Sequence, residues 1–176
     1  FNDWGRIKKE LNNKYIFLFL DYDGTLTPIV KTPNKAPLSS ETRELLKRII
    51  KNHRCKIAII SGRALENLKK LVSIEGIVYV GNHGLEIEGP KIKFERPVSL
   101  KIKKILQHIK DDLEIKLSTI KGAFVEDKGL SLSVHYRLVD RSQISKVKTI
   151  LQEVTIPYSA RDKIKIKPGK KVFEIR

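Results

Sequence analysis

The apolar positions of the chain follow two different rhythms. In the first half, short unbroken apolar runs alternate with stretches of helical spacing. Residues 15–20 form a run that ends on Asp21, the pattern of a strand buried on both faces. Residues 28–37 contain three prolines and read as a loop. Ser39 and Ser40 then precede Glu41, and Leu45, Leu46, Ile49 and Ile50 recur at helical spacing, which predicts an N-capped helix reaching Asn52. Residues 56–60 read as a second strand ending at Ser61-Gly62, and residues 64–72 as a second helix. Residues 76–80 read as a third strand ending at Gly81-Asn82-His83-Gly84. This β-α-β-α-β order predicts an α/β fold, a Rossmann-like parallel sheet with right-handed crossovers.

The second half alternates differently. Residues 91–95 read as a strand. Residues 100–113 are helical, with Ile102, Ile105, Leu106 and Ile109 on one face. Residues 124–127 and 130–137 predict a hairpin around Lys128-Gly129. Residues 142–154 form another amphipathic helix, with Ile144, Val147, Ile150 and Leu151 inward. Residues 163–167 and 171–176 predict a second hairpin, turning at Pro168-Gly169. Helix then two strands, twice over, predicts a small sheet with two helices on one face. The expected division is therefore a core module, residues 1–90, and an α+β module, residues 91–176.

Composition narrows the functional classes. A chain of 176 residues, 40% apolar, suffices for one full domain or a domain with a modest insertion. The longest apolar run, residues 16–20, is far short of a membrane span. No signal-peptide pattern is visible, so no membrane partner and a cytoplasmic location are expected. The single Cys55 rules out an internal disulfide, in keeping with a reducing compartment. The formal charge is +16, with 15 basic and 10 acidic side chains in residues 1–90 against 21 and 10 in residues 91–176. Such a balance attracts phosphate, in nucleic acid or in a small substrate. The lysines, however, are spread along the elements without interleaved aromatics, so no nucleic-acid partner is expected.

Three polar clusters stand at the ends of the three predicted strands: residues 21–25, 61–63 and 82–84. In parallel sheets ligands bind beyond the carboxyl ends of the strands, so three separate segments converge on one edge. Asp21 and Asp23, two residues apart with Gly24 to turn the chain, suit phosphoryl transfer. One carboxylate attacks phosphorus, and its partner protonates the leaving oxygen and later deprotonates water. That assigns Asp21 as nucleophile and Asp23 as acid and base. Two acids repel a phosphate dianion, which calls for a divalent cation; Mg²⁺ suits the oxygen ligands that Asp21 and Asp23 offer. Thr25 offers a hydroxyl and an amide to phosphoryl oxygens. Ser61 offers a hydroxyl, and Gly62 allows close approach, although a Ser at a strand end also serves as a helix cap. Arg63 reads either as an anion ligand or as a cap of its helix. His83 reads either as a substrate contact or as the residue that orients its loop.

The string Phe17-Leu18-Phe19-Leu20-Asp21-Tyr22-Asp23-Gly24-Thr25-Leu26-Thr27 resembles motif I of the haloacid dehalogenase superfamily, and Ile59-Ile60-Ser61-Gly62-Arg63 its motif II. Val80-Gly81-Asn82-His83-Gly84-Leu85-Glu86 is similar to the trehalose-6-phosphate phosphatase family within it, as is Thr27-Pro28-Ile29 after the first motif. In the second half, Val125-Glu126-Asp127-Lys128-Gly129, Val134-His135-Tyr136-Arg137 and residues 169–176 resemble that family's cap. The resemblance implies a haloacid dehalogenase core with an inserted α+β cap that closes over it. It implies trehalose 6-phosphate as substrate, with Glu126, Lys128 and Glu174 binding sugar hydroxyls and Arg137 as a further contact. Asn82 and His83 join Arg63 as expected substrate contacts, and a trehalose-phosphate synthase is an expected partner.

The superfamily pattern also needs a lysine and an acidic cluster after the cap, and neither can be assigned before Arg176. The chain begins at Phe1 and contains no methionine. The expectation is a segment of a longer protein, weakly active or inactive by itself. The alternatives are another sugar-phosphate phosphatase of the superfamily and a non-catalytic sugar-phosphate-binding domain.

Overall fold

A computed structural model describes residues 3–30, 37–159 and 164–176, in two compact units, Phe1–Glu95 and Arg96–Arg176. The first unit runs α1 (Trp4–Leu11), β1 (Ile16–Asp21), α2 (Ser40–Ile50), β2 (Cys55–Ile60), α3 (Leu65–Val72), β3 (Val78–Gly81), β4 (Glu86–Gly89) and β5 (Ile92–Glu95). Its five-stranded sheet has the order β1-β2-β3-β4-β5. The first three strands are parallel, as the alternation of strand and helix predicts. The hairpin of β4 and β5 then extends the sheet antiparallel to β3.

Local chemistry sets the helix ends. Ser39 is extended and its hydroxyl accepts from the Thr42 amide at 3.1 Å, starting α2. At the other end of α3, Arg43 donates from Nε to the Val72 carbonyl at 3.0 Å and from Nη2 to that of Leu71 at 3.3 Å. One guanidinium thus satisfies carbonyls that the last helical turn leaves open. Leu46, Ile57, Ile59, Leu68, Val72, Ile77 and Tyr79 form the core between helices and sheet. Each large aliphatic side chain buried there contributes roughly 1.5–3 kcal/mol.

The second unit runs α4 (Leu100–Leu117), β6 (Phe124–Asp127), β7 (Leu132–His135), α5 (Ile144–Ser159), β8 (Ile166–Gly169) and β9 (Val172–Ile175). Its antiparallel sheet has the order β6-β7-β9-β8. Ile105, Leu106, Ile109 and Leu113 of α4 and Val147, Ile150, Leu151 and Val154 of α5 pack with Leu132, Val134 and Ile175 of the sheet. Strand side chains alternate between faces. Ser133 and Glu174, which pair in register, therefore lie on the face opposite that core.

Several elements differ from expectation. Residues 92–95 pair with β4 and so belong to the first sheet, not to the second module. The strand β4 was not foreseen, because Glu86-Ile87-Glu88-Gly89 is short and mostly polar. The second hairpin turns at Lys170-Lys171, since Gly169 pairs with Val172 and Pro168 with Phe173. Pro168 is tolerated because β8 is an edge strand, where a missing N–H breaks no ladder bond. Helix α5 continues past Val154 to Ser159, with Pro157 in its last turn. Part of the 28–37 loop, residues 31–36, and the first residue of the 163–167 strand lie outside the described residues. Among the described residues no helix is long and apolar enough to cross a membrane.

Candidate active site

The carboxyl ends of β1, β2 and β3 lie side by side: Asp21 is in register with Ile60, and Ile60 with Val80. The chain after β1 makes a tight turn. The Tyr22 carbonyl accepts from the amides of Leu26 and Thr27, both at 3.1 Å, and the Gly24 amide donates to the Thr27 carbonyl at 2.8 Å. Gly24 has φ +97°, a conformation that costs glycine nothing. Tyr22 is fully buried beneath this turn, and burial pushes its hydroxyl pKa up. The turn leaves Asp21, Asp23 and Thr25 exposed.

The two aspartates take separate partners. Asp21 Oδ2 accepts from the Thr25 hydroxyl at 3.2 Å. Asp23 is held from the β2 side. Ser61 Oγ donates to Asp23 Oδ2 at 3.2 Å, and Arg63 donates from Nε at 2.9 Å to Oδ2 and from Nη2 at 2.5 Å to Oδ1. This is the fork geometry by which guanidinium grips a carboxylate. Arg63 is itself only 5% exposed. Its Nη1 donates to Asn67 Oδ1 at 3.2 Å, and its guanidinium lies 5.4 Å from the Tyr22 ring centroid. Ser61 also accepts from the Arg63 amide at 3.1 Å, so the hydroxyl serves both as a turn cap and as a link to Asp23.

The third strand end is bound to the second. The Asn82 amide donates to the Arg63 carbonyl at 2.7 Å and the His83 amide to that of Ser61 at 3.1 Å. Asn82 is 1% exposed, and its side-chain amide donates to Glu86 Oε2. The same Glu86 oxygen accepts from the Leu65 amide at 3.3 Å, doing at the start of α3 what a capping side chain does elsewhere. His83 is exposed, and its ring covers Gly62: a Cβ at Gly62 would lie 2.4 Å from His83 Nε2. Asp21, Asp23, Thr25, Ser61, Gly62, Arg63, Asn82 and His83 therefore share one end of the sheet.

The remaining expected residues lie in the second unit. Glu126, Ser133 and Glu174 stand in register across β6, β7 and β9 on one sheet face. Glu126 Oε2 lies 2.7 Å from His135 Nε2. Lys128 sits in the β6–β7 turn, its amide donating to the Ser131 carbonyl at 2.9 Å. Arg137 follows β7 and donates from Nη2 to the Lys170 carbonyl at 3.0 Å. Sequence reasoning passed over Glu86 and His135. Both stood within the motif strings, and only their contacts with Asn82 and Glu126 single them out.

Comparison with known proteins places the chain in a family. The Trehalose-phosphatase family model matches residues 19–176. Trehalose-phosphate phosphatase B of Arabidopsis thaliana is 35% identical over 186 residues, which cover 99% of this chain and 48% of that protein. The chain thus spans about half the length of the curated relatives it matches. The C-terminal domain of trehalose-6-phosphate phosphatase from C. albicans has the same fold, with a TM-score of 0.78 at 24% identity, covering 98% of this chain and 60% of that one. A trehalose-6-phosphate phosphatase related protein aligns with a TM-score of 0.77 at 22% identity, over 92% of this chain and 67% of its own. The chain belongs to the trehalose-phosphatase family.

Proposed function

We propose that this protein hydrolyses trehalose 6-phosphate to trehalose and phosphate through an aspartyl-phosphate on Asp21. The observation that carries the reading is the meeting of an exposed Asp21 with a Ser61-bonded Asp23 at the ends of adjacent parallel strands. An Asp21 oxygen attacks phosphorus, and the ester P–O bond breaks. The sugar oxygen leaves with a proton donated by Asp23. Water then gives a proton to Asp23 and attacks phosphorus, which breaks the P–O bond to Asp21 and releases phosphate. Thr25, Ser61 and Gly62 hold the phosphoryl oxygens. His83, exposed, suits direct contact with substrate. Arg63 and Asn82, buried and bonded to Asp23 and Glu86, suit supporting roles around it.

The Asp21 carboxylate and the Asp23 backbone carbonyl would hold Mg²⁺. Both are hard oxygens of the kind this ion takes, and Asp21 is exposed to receive it. Among the described residues no group of three or more His, Cys, Asp or Glu could hold a metal, so these donors make up part of a coordination sphere. When bound, the ion supplies charge neutralisation between carboxylates and phosphate. Glu126, Lys128, Arg137 and Glu174 are the proposed sugar contacts, because carboxylates accept hydrogen bonds from adjacent hydroxyls. A cytoplasmic location and a trehalose-phosphate synthase partner complete the proposal.

The test is phosphate release from a panel of sugar phosphates with Mg²⁺. Release from trehalose 6-phosphate should stop with EDTA and in Asp21→Asn. Cleavage of another sugar phosphate instead would replace the substrate. Binding of trehalose 6-phosphate without release would favour a sugar-phosphate-binding domain.

A further inference from the structure

We infer that His135 is a positioning residue that fixes the Glu126 carboxylate for capture of a sugar hydroxyl. The inference rests on the sugar-binding role proposed for Glu126. In β6 and β7, Phe124 pairs with His135 and Glu126 with Ser133. All four side chains therefore share the face opposite Leu132 and Val134, which pack in the core.

His135 Nε2 and Glu126 Oε2 are 2.7 Å apart, with the two side chains 18% and 23% exposed. An ionised carboxylate only accepts hydrogen bonds, so Nε2 carries the proton and donates it. The imidazole is braced in turn. Its ring stacks on Phe124, with centroids 4.5 Å apart and planes 13° from parallel, so it cannot turn without giving up that contact. A glutamate side chain has several rotatable bonds, and ordering it during sugar capture opposes binding. A braced donor does that ordering beforehand.

A second observation marks the same row as more than packing. Ser133, in register between Glu126 and Glu174, is 1% exposed, and its Oγ has no hydrogen-bond partner among the described residues. A buried hydroxyl without a partner is uncommon and calls for a reason. Here it lies between two carboxylates assigned to the sugar.

Calorimetric titration with trehalose tests the idea on the whole chain and three variants. Glu126→Gln removes the carboxylate. His135→Phe keeps an aromatic ring on Phe124 but has no donor. His135→Gln returns an N–H at similar reach. Glu126→Gln should weaken trehalose binding. His135→Phe should weaken it about tenfold, the scale of one charge-assisted hydrogen bond, and His135→Gln should recover most of that. In the free parent chain, the ¹⁵N spectrum of His135 should show a protonated Nε2. Weakening by Glu126→Gln but not by His135→Phe would overturn the inference and leave the sugar reading standing. Equal weakening by both His135 variants would mean that an N–H at that reach does not restore binding, and would overturn it too. A parent chain that binds no trehalose, or a Glu126→Gln variant that binds as well as the parent, would sink the sugar reading and the inference together.

Discussion

Arg63 is nearly buried beside an Asp23 whose side chain is 39% exposed. That asymmetry sets what its loss does. In Arg63→Gln, water replaces part of the lost pairing, so the stability cost should be modest, about 1–2 kcal/mol in urea unfolding. Under the proposed mechanism turnover should fall further, about 10–100-fold in kcat with little change in KM, because Asp23, the proposed acid and base, loses its aim. Arg63→Lys restores charge but not the fork, and should recover stability better than kcat. Gly62 and Gly81 make a second contrast. A Cβ at Gly81 would lie 2.7 Å from the Leu65 backbone, whereas at Gly62 it meets the tip of the exposed His83 ring. Gly81→Ala should therefore cost about 2 kcal/mol and lower Tm clearly. Gly62→Ala should stay within about 0.5 kcal/mol and act by displacing His83. The placement of Asp21, Asp23 and Ser61 at strand ends was legible in the sequence because each follows an apolar run. The inward turn of Arg63 was not, because its partner Asp23 lies 40 positions away and no local pattern encodes that meeting.

Strand β1 alternates partly buried and exposed residues, with Leu18 and Leu20 against the core and Phe17 and Phe19 exposed. The two rings are 4.4 Å apart between centroids, on a strand that stands at the edge of the sheet among the described residues. An unpaired edge beside an aromatic pair is adhesive. A Phe17→Thr/Phe19→Thr double variant should self-associate less than the parent in sedimentation velocity; an unchanged distribution would clear this face of the role. The unbroken run at residues 16–20 announced the strand but not its burial: such a run reads as buried on both faces, whereas Phe17 and Phe19 leave one face exposed. The antiparallel extension was hidden. In β4 the charged Glu86 and Glu88 are only partly buried, and their partners, Asn82 and Lys69, lie outside the strand. The turn at Lys170-Lys171 was hidden for another reason. Pro-Gly is the stronger turn signal, yet Lys171 adopts φ +66° while Pro168 and Gly169 pair within the hairpin.

The two units have separate hydrophobic clusters, one around Leu68 and Ile59, the other around Leu113 and Val134. Leu68 and Leu113 are both fully buried, so truncating either to Ala should cost about 3 kcal/mol. Hydrogen exchange should show each loss confined to its own unit; loss of protection in both would mean one cooperative fold. Alkali should also act on the first unit. Burial raises the pKa values of Tyr22 and Tyr79 above the ordinary 10.0. The unfolded chain therefore gives up these protons first as pH rises. Their contribution is fully present below about pH 10 and is lost above it, so the urea midpoint should fall there, less steeply in Tyr22→Phe. In the second unit, Glu126, Ser133 and Glu174 share a face through strand register alone. A one-residue deletion that slips the whole of β7 in register would turn Ser133 and His135 toward the helices and Leu132 and Val134 away from them. Chain length in that four-residue strand is thus as constrained as chemistry. A single-codon deletion there would invert core and polar row together, where a point substitution changes one position of one face.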